Sequence, residues 1–171
     1  LLHNMALMAI DPSSFDAIVL THCHYDHTQG LTEILKATGR SDLPVIAHPD
    51  LHRLNFSTDP YLRHIGTMTG DSATAITAAG GMLFSLRDAL QLMPGLTTSG
   101  EIPRVTDYEN TETNLKTVRD GRVVVDTMID EICVYAEVAE VGTVVVTGCS
   151  HAGIVNIVRH ARAFPTLGGD G

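Results

Sequence analysis

The sequence predicts an α/β domain, and three observations carry that reading. Twice a short run of aliphatic and β-branched residues leads through a histidine-bearing loop into a segment with helical spacing, once over residues 16–38 and again over 143–161. The runs DAIVLT (16–21), PVIA (44–47) and TVVVT (143–147) are apolar or β-branched at consecutive positions, the pattern of strands covered on both faces. With 171 residues, 44% of them hydrophobic, the chain is long enough for one sizeable core and short for two. A single domain over residues 1–171 is therefore expected.

Taken in order, the segment Leu1 to Ile10 is apolar but has no basic flank, so a signal peptide is not expected. The first strand, Asp16 to Thr21, ends directly at His22. Leu31, Ile34 and Leu35 then fall at helical spacing in a helix over 31–38, stopped by Gly39. PVIA is a second buried strand, and Asp50 to Leu54 a helical turn. From Asn55 to Gly81 the residues are small and polar without a sustained period, which reads as an insertion or long loop with modest helix content. Gly81 to Leu86 follows as a strand. Residues 94–103 hold two prolines and two glycines and read as loop. Val123 to Asp126 and Ile132 to Ala136 are strands, the first opened by the Asp120-Gly121 turn. TVVVT leads into Gly148-Cys149-Ser150-His151 and a last helix, whose Ile154, Ile157, Val158 and Ala161 form one apolar face.

Composition excludes some classes of function. The net charge of −9 repels phosphate backbones and anionic lipid, so neither nucleic acid nor membrane is an expected partner. No apolar stretch approaches the roughly 20 residues that span a bilayer. Three cysteines without a C-x-x-C pair read as a reduced chain in the cytoplasm, with no structural disulfide. The chain opens without Met, and the expectation is that it starts inside a longer protein.

The chemistry concentrates in His22-Cys23-His24-Tyr25-Asp26-His27, where three imidazoles and a carboxylate stand within six residues just beyond a buried strand. Both groups are good ligands for borderline divalent metals such as zinc. In an extended start His22 and His24 point to the same side and can share one ion, while Asp26 and His27 lie further along the loop and suit a second. A mononuclear site using only three of the four stays open, because zinc accepts few protein ligands plus water. Solvated loop histidines are the bland alternative, set aside because this density of ligand types at a strand end is rare. His151 sits in the second strand-to-helix loop and can complete the first ion as a third imidazole, since sites in such sheets collect beyond the strand ends. Zinc is the expected cofactor, one or two ions per chain, with other divalent metals possible.

THCHYDHTQG at 21–30 resembles the H-x-H-x-D-H signature of metallo-β-lactamase-fold enzymes. VVVTGCSHAGIVNIV at 144–158 and TSGEIPR at 98–104 are similar to the branch that includes the methanopterin-pathway dihydropterin ribofuranosylaminobenzene phosphate synthases and many metal-dependent hydrolases. The resemblance implies a four-layer αββα sandwich, with His22, His24 and His151 as ligands of a first metal and Asp26 and His27 of a second. It further implies a bridging water made nucleophilic near neutral pH, with Asp26 as the catalytic residue that orients it. Histidine at 24, where the oxygen-reducing di-iron relatives have Glu, implies hydrolytic or other non-redox chemistry. Family members usually carry further strands with an Asp-Thr-Gly-like turn before this segment and a last histidine ligand after it. The sandwich is accordingly expected to be incomplete at both termini. Gly168-Gly169 resembles a family turn whose histidine is replaced, and Asp170 is a frayed terminus or a substitute ligand.

Beyond this set, Arg104 is a candidate for binding a substrate phosphate or carboxylate, with a surface salt bridge as the alternative. Cys23 and Cys149 flank candidate ligands but read as small packing residues and receive no role. His48 closes a strand and can support the ligands from behind, but for it, as for His3, His52, His64 and His160, surface or packing is the default. The function expected is a metal-dependent hydrolase or related transferase acting with activated water on a small soluble, phosphorylated or pterin-like substrate. The rivals are a non-catalytic metal-binding piece lacking a complete second site and, more weakly, a nuclease.

Overall fold

The computed structural model describes residues 1–164. Asp170 and the Gly168-Gly169 turn lie outside the described residues. In chain order the elements are α1 (Leu2–Leu7), β1 (Ile18–Val19), α2 (Tyr25–Thr28), α3 (Leu31–Thr38), β2 (Leu43–Ala47), β3 (Asn55–Ser57), β4 (Arg63–His64), α4 (Ala73–Ala78), β5 (Gly81–Ser85), β6 (Gln91–Met93), β7 (Leu96–Thr98), β8 (Leu115–Arg119), β9 (Arg122–Val125), β10 (Val134–Val138), β11 (Gly142–Val146) and α5 (Ile154–Ala163).

The strands form three sheets: parallel β1-β2-β5, antiparallel β11-β10-β7-β6 and antiparallel β4-β3-β8-β9. One core cluster lies between the parallel sheet and the helices, where Leu31, Leu35 and Ile76 meet Leu43, Val45 and Ala47. A second joins α5 to β10 through Ile157, Ala161, Cys133 and Tyr135. The consecutive apolar run of β2 is explained by its central place in the parallel sheet, and its residues are buried except the half-buried Pro44. Helix α3 ends where Gly39 adopts φ 68°, a left-handed conformation that glycine enters without strain.

Several elements depart from expectation. β11, read as doubly covered, is the edge strand of its sheet, and Val146 is 57% exposed. Helix α5 buries Asn156, Ile157 and Ala161, while Ile154 and Val158 face solvent, so its apolar stripe is half as wide as the spacing predicts. Residues 94–103 contain β7, which pairs with both β6 and β10. The stretch 55–81 holds β3, β4 and α4, with Ile76 fully buried; its elements are too short to show a period. The strand expected at 132–136 begins two residues later, because Ile132 bonds its N–H to the Thr21 carbonyl at 2.8 Å instead of entering the β10 ladder.

Candidate metal centre

The loop after β1 is fixed from below before any ligand is considered. Cys23, fully buried, donates its backbone N–H to Asp130 Oδ2 at 2.7 Å. Asp130 in turn pairs through Oδ1 with Arg53 Nη2 at 2.7 Å, and Arg53 Nε bonds Asp126 Oδ2 at 2.6 Å. Asn55 Nδ2 donates to the same Asp126 oxygen. This buried network ties the histidine loop to β3 and to the segment after β9. Burial pushes the Asp126 carboxyl up, but the Arg53 bond and charge outweigh it and hold the group below the ordinary carboxylate range. Thr67 Oγ1 donates to the Cys23 carbonyl at 3.1 Å, and the His24 carbonyl accepts the N–H groups of His27 and Thr28 at the start of the short helix α2, leaving its ring free of any capping bond.

The second loop, 147–153, is held from the other side. Glu131 accepts the Ala152 N–H, and Arg104 Nη2 donates to the carbonyls of His151 and Thr127. Glu109 accepts the N–H groups of Val155 and Asn156 at 2.8 and 2.9 Å, capping the start of α5.

Between the loops His22, His24 and His151 converge. Ring centroids are 4.8 Å apart for His22 and His24, 5.0 Å for His22 and His151, and 4.8 Å for His24 and His151. One donor atom from each of the three lies within 4.8 Å of the others. The Nε2 atoms of all three are buried with no hydrogen-bond partner. A trio of inward lone pairs without protein partners is costly unless something electrophilic meets them, so the donor set fits a divalent cation. Two of the outer nitrogens are partnered: His22 Nδ1 with Thr21 Oγ1 at 3.1 Å, His151 Nδ1 with Glu112 Oε1 at 3.2 Å. Burial, and then the neighbouring imidazoles, push His22 down to about 2; burial and His151 lower His24. Both therefore stand neutral, the form a metal requires.

His27 packs against His22 with centroids 4.2 Å apart. Asp26, 63% exposed at the lip of the site, has Oδ2 3.8 Å from His27 Nε2. All five expected ligand residues thus reach one region. Two cysteines divide there. Cys23 is buried among the core side chains, as the packing reading has it. Cys149 is a correction to that reading: it is exposed, and its Sγ lies 3.1 Å from His27 Nε2. Sequence reasoning assigned it to packing because cysteine is more often buried than not; the flanking loop glycine and His151 were the signal that it stands at the site.

Arg104 lines an open cleft of about 660 Å³ with Ile102, Pro103, Met128 and Glu131. Its Nη2 is engaged by backbone, whereas Nη1 is buried and unpartnered. His48 is buried, accepts Asp50 N–H at Nδ1 and donates from Nε2 to Glu101 at 2.8 Å. Asp130, Arg53, Glu131 and Glu112 support the ligands and were not singled out in the sequence, because isolated charged residues carry no spacing signal.

Residues 2–114 match the beta-lactamase superfamily domain family. Over 99% of its length the chain is 40% identical to the 7,8-dihydropterin-6-methyl-4-(beta-D-ribofuranosyl)-aminobenzene-5'-phosphate synthase of Methanocaldococcus jannaschii, covering 60% of that protein. An uncharacterised protein of the same organism is 29% identical over 93% of this chain and 57% of the relative. In fold, the chain superposes on a metal-dependent hydrolase of the beta-lactamase superfamily with a TM-score of 0.72 at 23% identity, over 95% of this chain and 57% of that one. The chain spans about 60% of the length of the curated relatives it matches. With the family match covering more than half of its residues and the fold agreeing, this chain belongs to the metallo-β-lactamase superfamily.

Proposed function

We propose that this chain is a zinc-dependent enzyme domain, a hydrolase or related transferase that uses activated water on a small soluble substrate. The observation that carries the reading is the set of three imidazoles whose buried Nε2 atoms converge without protein partners. His22, His24 and His151 would hold one cation, and Asp26 with His27 a second beside it. When bound, such cations supply Lewis-acid polarisation and make water nucleophilic near neutral pH.

The chain's own residues position everything else. Glu112 and Thr21 take the outer nitrogens of His151 and His22, leaving each Nε2 as the inward lone pair. Asp26, the exposed carboxylate, accepts a proton from the attacking water and orients it. Arg104 braces the second loop through Nη2 and lines the cleft in which its guanidinium would meet an anionic group on the substrate. A phosphorylated, pterin-like substrate is supported by the 40% identity to a synthase of that chemistry. Free thiols at Cys23, Cys133 and Cys149 support a reducing compartment such as the cytoplasm, and no described helix is long and apolar enough to cross a membrane. The net charge of −9 argues against nucleic acid.

Elemental mass spectrometry of the purified chain, run beside a phosphodiester and thioester turnover screen, tests this. About two ions with turnover are expected. At most one ion and no turnover would replace the reading with a metal-binding module that performs no chemistry.

A further inference from the structure

We propose that Cys149 is a metal ligand, its thiolate joining His27 and Asp26 to hold the second of two adjacent cations. This extends the metal-centre reading above, on which it rests, to a residue outside the histidine and aspartate set.

The geometry begins at one atom, His27 Nε2. The Cys149 sulfur is 3.1 Å from it and an Asp26 carboxylate oxygen 3.8 Å from it. Nitrogen at about 2.0 Å and sulfur at about 2.3 Å on a tetrahedral cation stand roughly 3.5 Å apart. The Cys149–His27 separation is within about half an ångström of that value, so a small adjustment admits an ion between the pair, while Asp26, at the exposed lip and outside their set of mutually close donors, completes it by a larger side-chain rotation. A second observation comes from His22, fully buried with an unpartnered Nε2, whose donor atoms fall within 4.8 Å both of His24 and His151 and of His27 and Cys149. One imidazole nitrogen serves one cation. Assigning His22 to the trio whose Nε2 atoms are all orphaned leaves His27 and Cys149 as a pair of their own, with Asp26 the remaining donor beside them.

The loop is shaped for this. Ser150, a non-glycine residue at φ 61°, bends the chain between Cys149 and His151, a conformation that costs energy at serine and persists where the surrounding contacts demand it. Cys149 is also the exposed one of the three cysteines, whereas Cys23 and Cys133 are fully buried. Metal uptake at this position releases the Cys149 thiol proton to solvent, and sulfur biases the position toward zinc and other thiophilic ions over magnesium or calcium.

Cobalt(II) titration of the whole chain separates the two cations, because thiolate-bound cobalt has an intense near-ultraviolet charge-transfer band and imidazole-bound cobalt does not. The expected result is visible ligand-field bands with the first equivalent and the charge-transfer band with the second. Cys149→Ser should abolish the latter and weaken the second equivalent by about 10-fold or more, leaving the first intact. Cys23→Ser and Cys133→Ser should keep it. Two equivalents bound without the band, or a band that survives Cys149→Ser, overturns the thiolate ligand while the histidine centre stands. Absence of any cobalt binding overturns both.

Discussion

Arg53 is the residue on which the candidate centre rests. Its guanidinium, nearly excluded from solvent, answers Asp126 and Asp130, and Asp130 carries the Cys23 N–H between His22 and His24. Arg53→Met leaves two buried carboxylates without their cation, a change that typically costs about 3–5 kcal/mol. The pH dependence should weaken as well. In the parent, Asp126 is held below its ordinary range, so its contribution is present above that range and is lost as pH falls through the folded value. Without Arg53, the Asn55 and Met128 hydrogen bonds still favour the carboxylate but oppose burial with less force, so the folded value rises toward the unfolded one and the loss of stability on acidification shrinks. Urea unfolding of both proteins between pH 4 and 7 checks this, and an unchanged midpoint at neutral pH would remove the network from the account. Arg53 was invisible in the sequence because its partners lie more than seventy residues away. The histidines were legible because four ligand-type residues fell within six positions.

At the scale of elements, the two strand-to-helix loops make the site by touching. Gly148 is the contact: a Cβ there would sit 2.6 Å from Thr21 Oγ1 and 3.4 Å from His22 Nδ1. The Thr21 hydroxyl is the partner of that same nitrogen. Gly148→Ala therefore displaces the group that orients His22, and metal affinity should fall about 10–100-fold, the usual cost of losing a ligand's supporting bond. Competition with a chromogenic chelator measures it; affinity within a factor of two of the parent would show that the loops part without disturbing the ligands. Elements on either side were read with uneven success, for physical reasons. Helix α3 is bounded by a glycine cap and a clear apolar spacing, so its limits match expectation. β7 hid between prolines and glycines, and β11 presented a buried strand's composition at an exposed edge. Local pattern reports what a strand can tolerate, whereas its neighbours decide what it meets.

In the whole molecule the candidate centre joins parts that otherwise have separate cores. His22 and His24 follow the parallel sheet, packed with α3 and α4, while His151 follows β11, packed with α5. Sheet order and the splitting of the core were not legible from periodicity; the resemblance of two motifs supplied the sandwich, because a motif implies its context. The consequence is thermodynamic. A cation that binds only when both loops are in place stabilises the folded state by mass action, about 2.7 kcal/mol at a free concentration 100-fold above Kd. For a chain of this size that raises the unfolding midpoint by about 5–10 °C. Stripping the metal with a chelator should lower Tm by that amount and zinc should restore it. His151→Ala, which removes the ligand from the far loop, should blunt the response while keeping a folded protein, since His151 stands in a loop and the core cluster of Ala152, Ile157 and Ala161 behind it is built from other side chains. Differential scanning fluorimetry across a zinc titration reads both proteins together. If the two gain equally, the cation is held by one loop alone and the convergence of histidines across the molecule does not bind it.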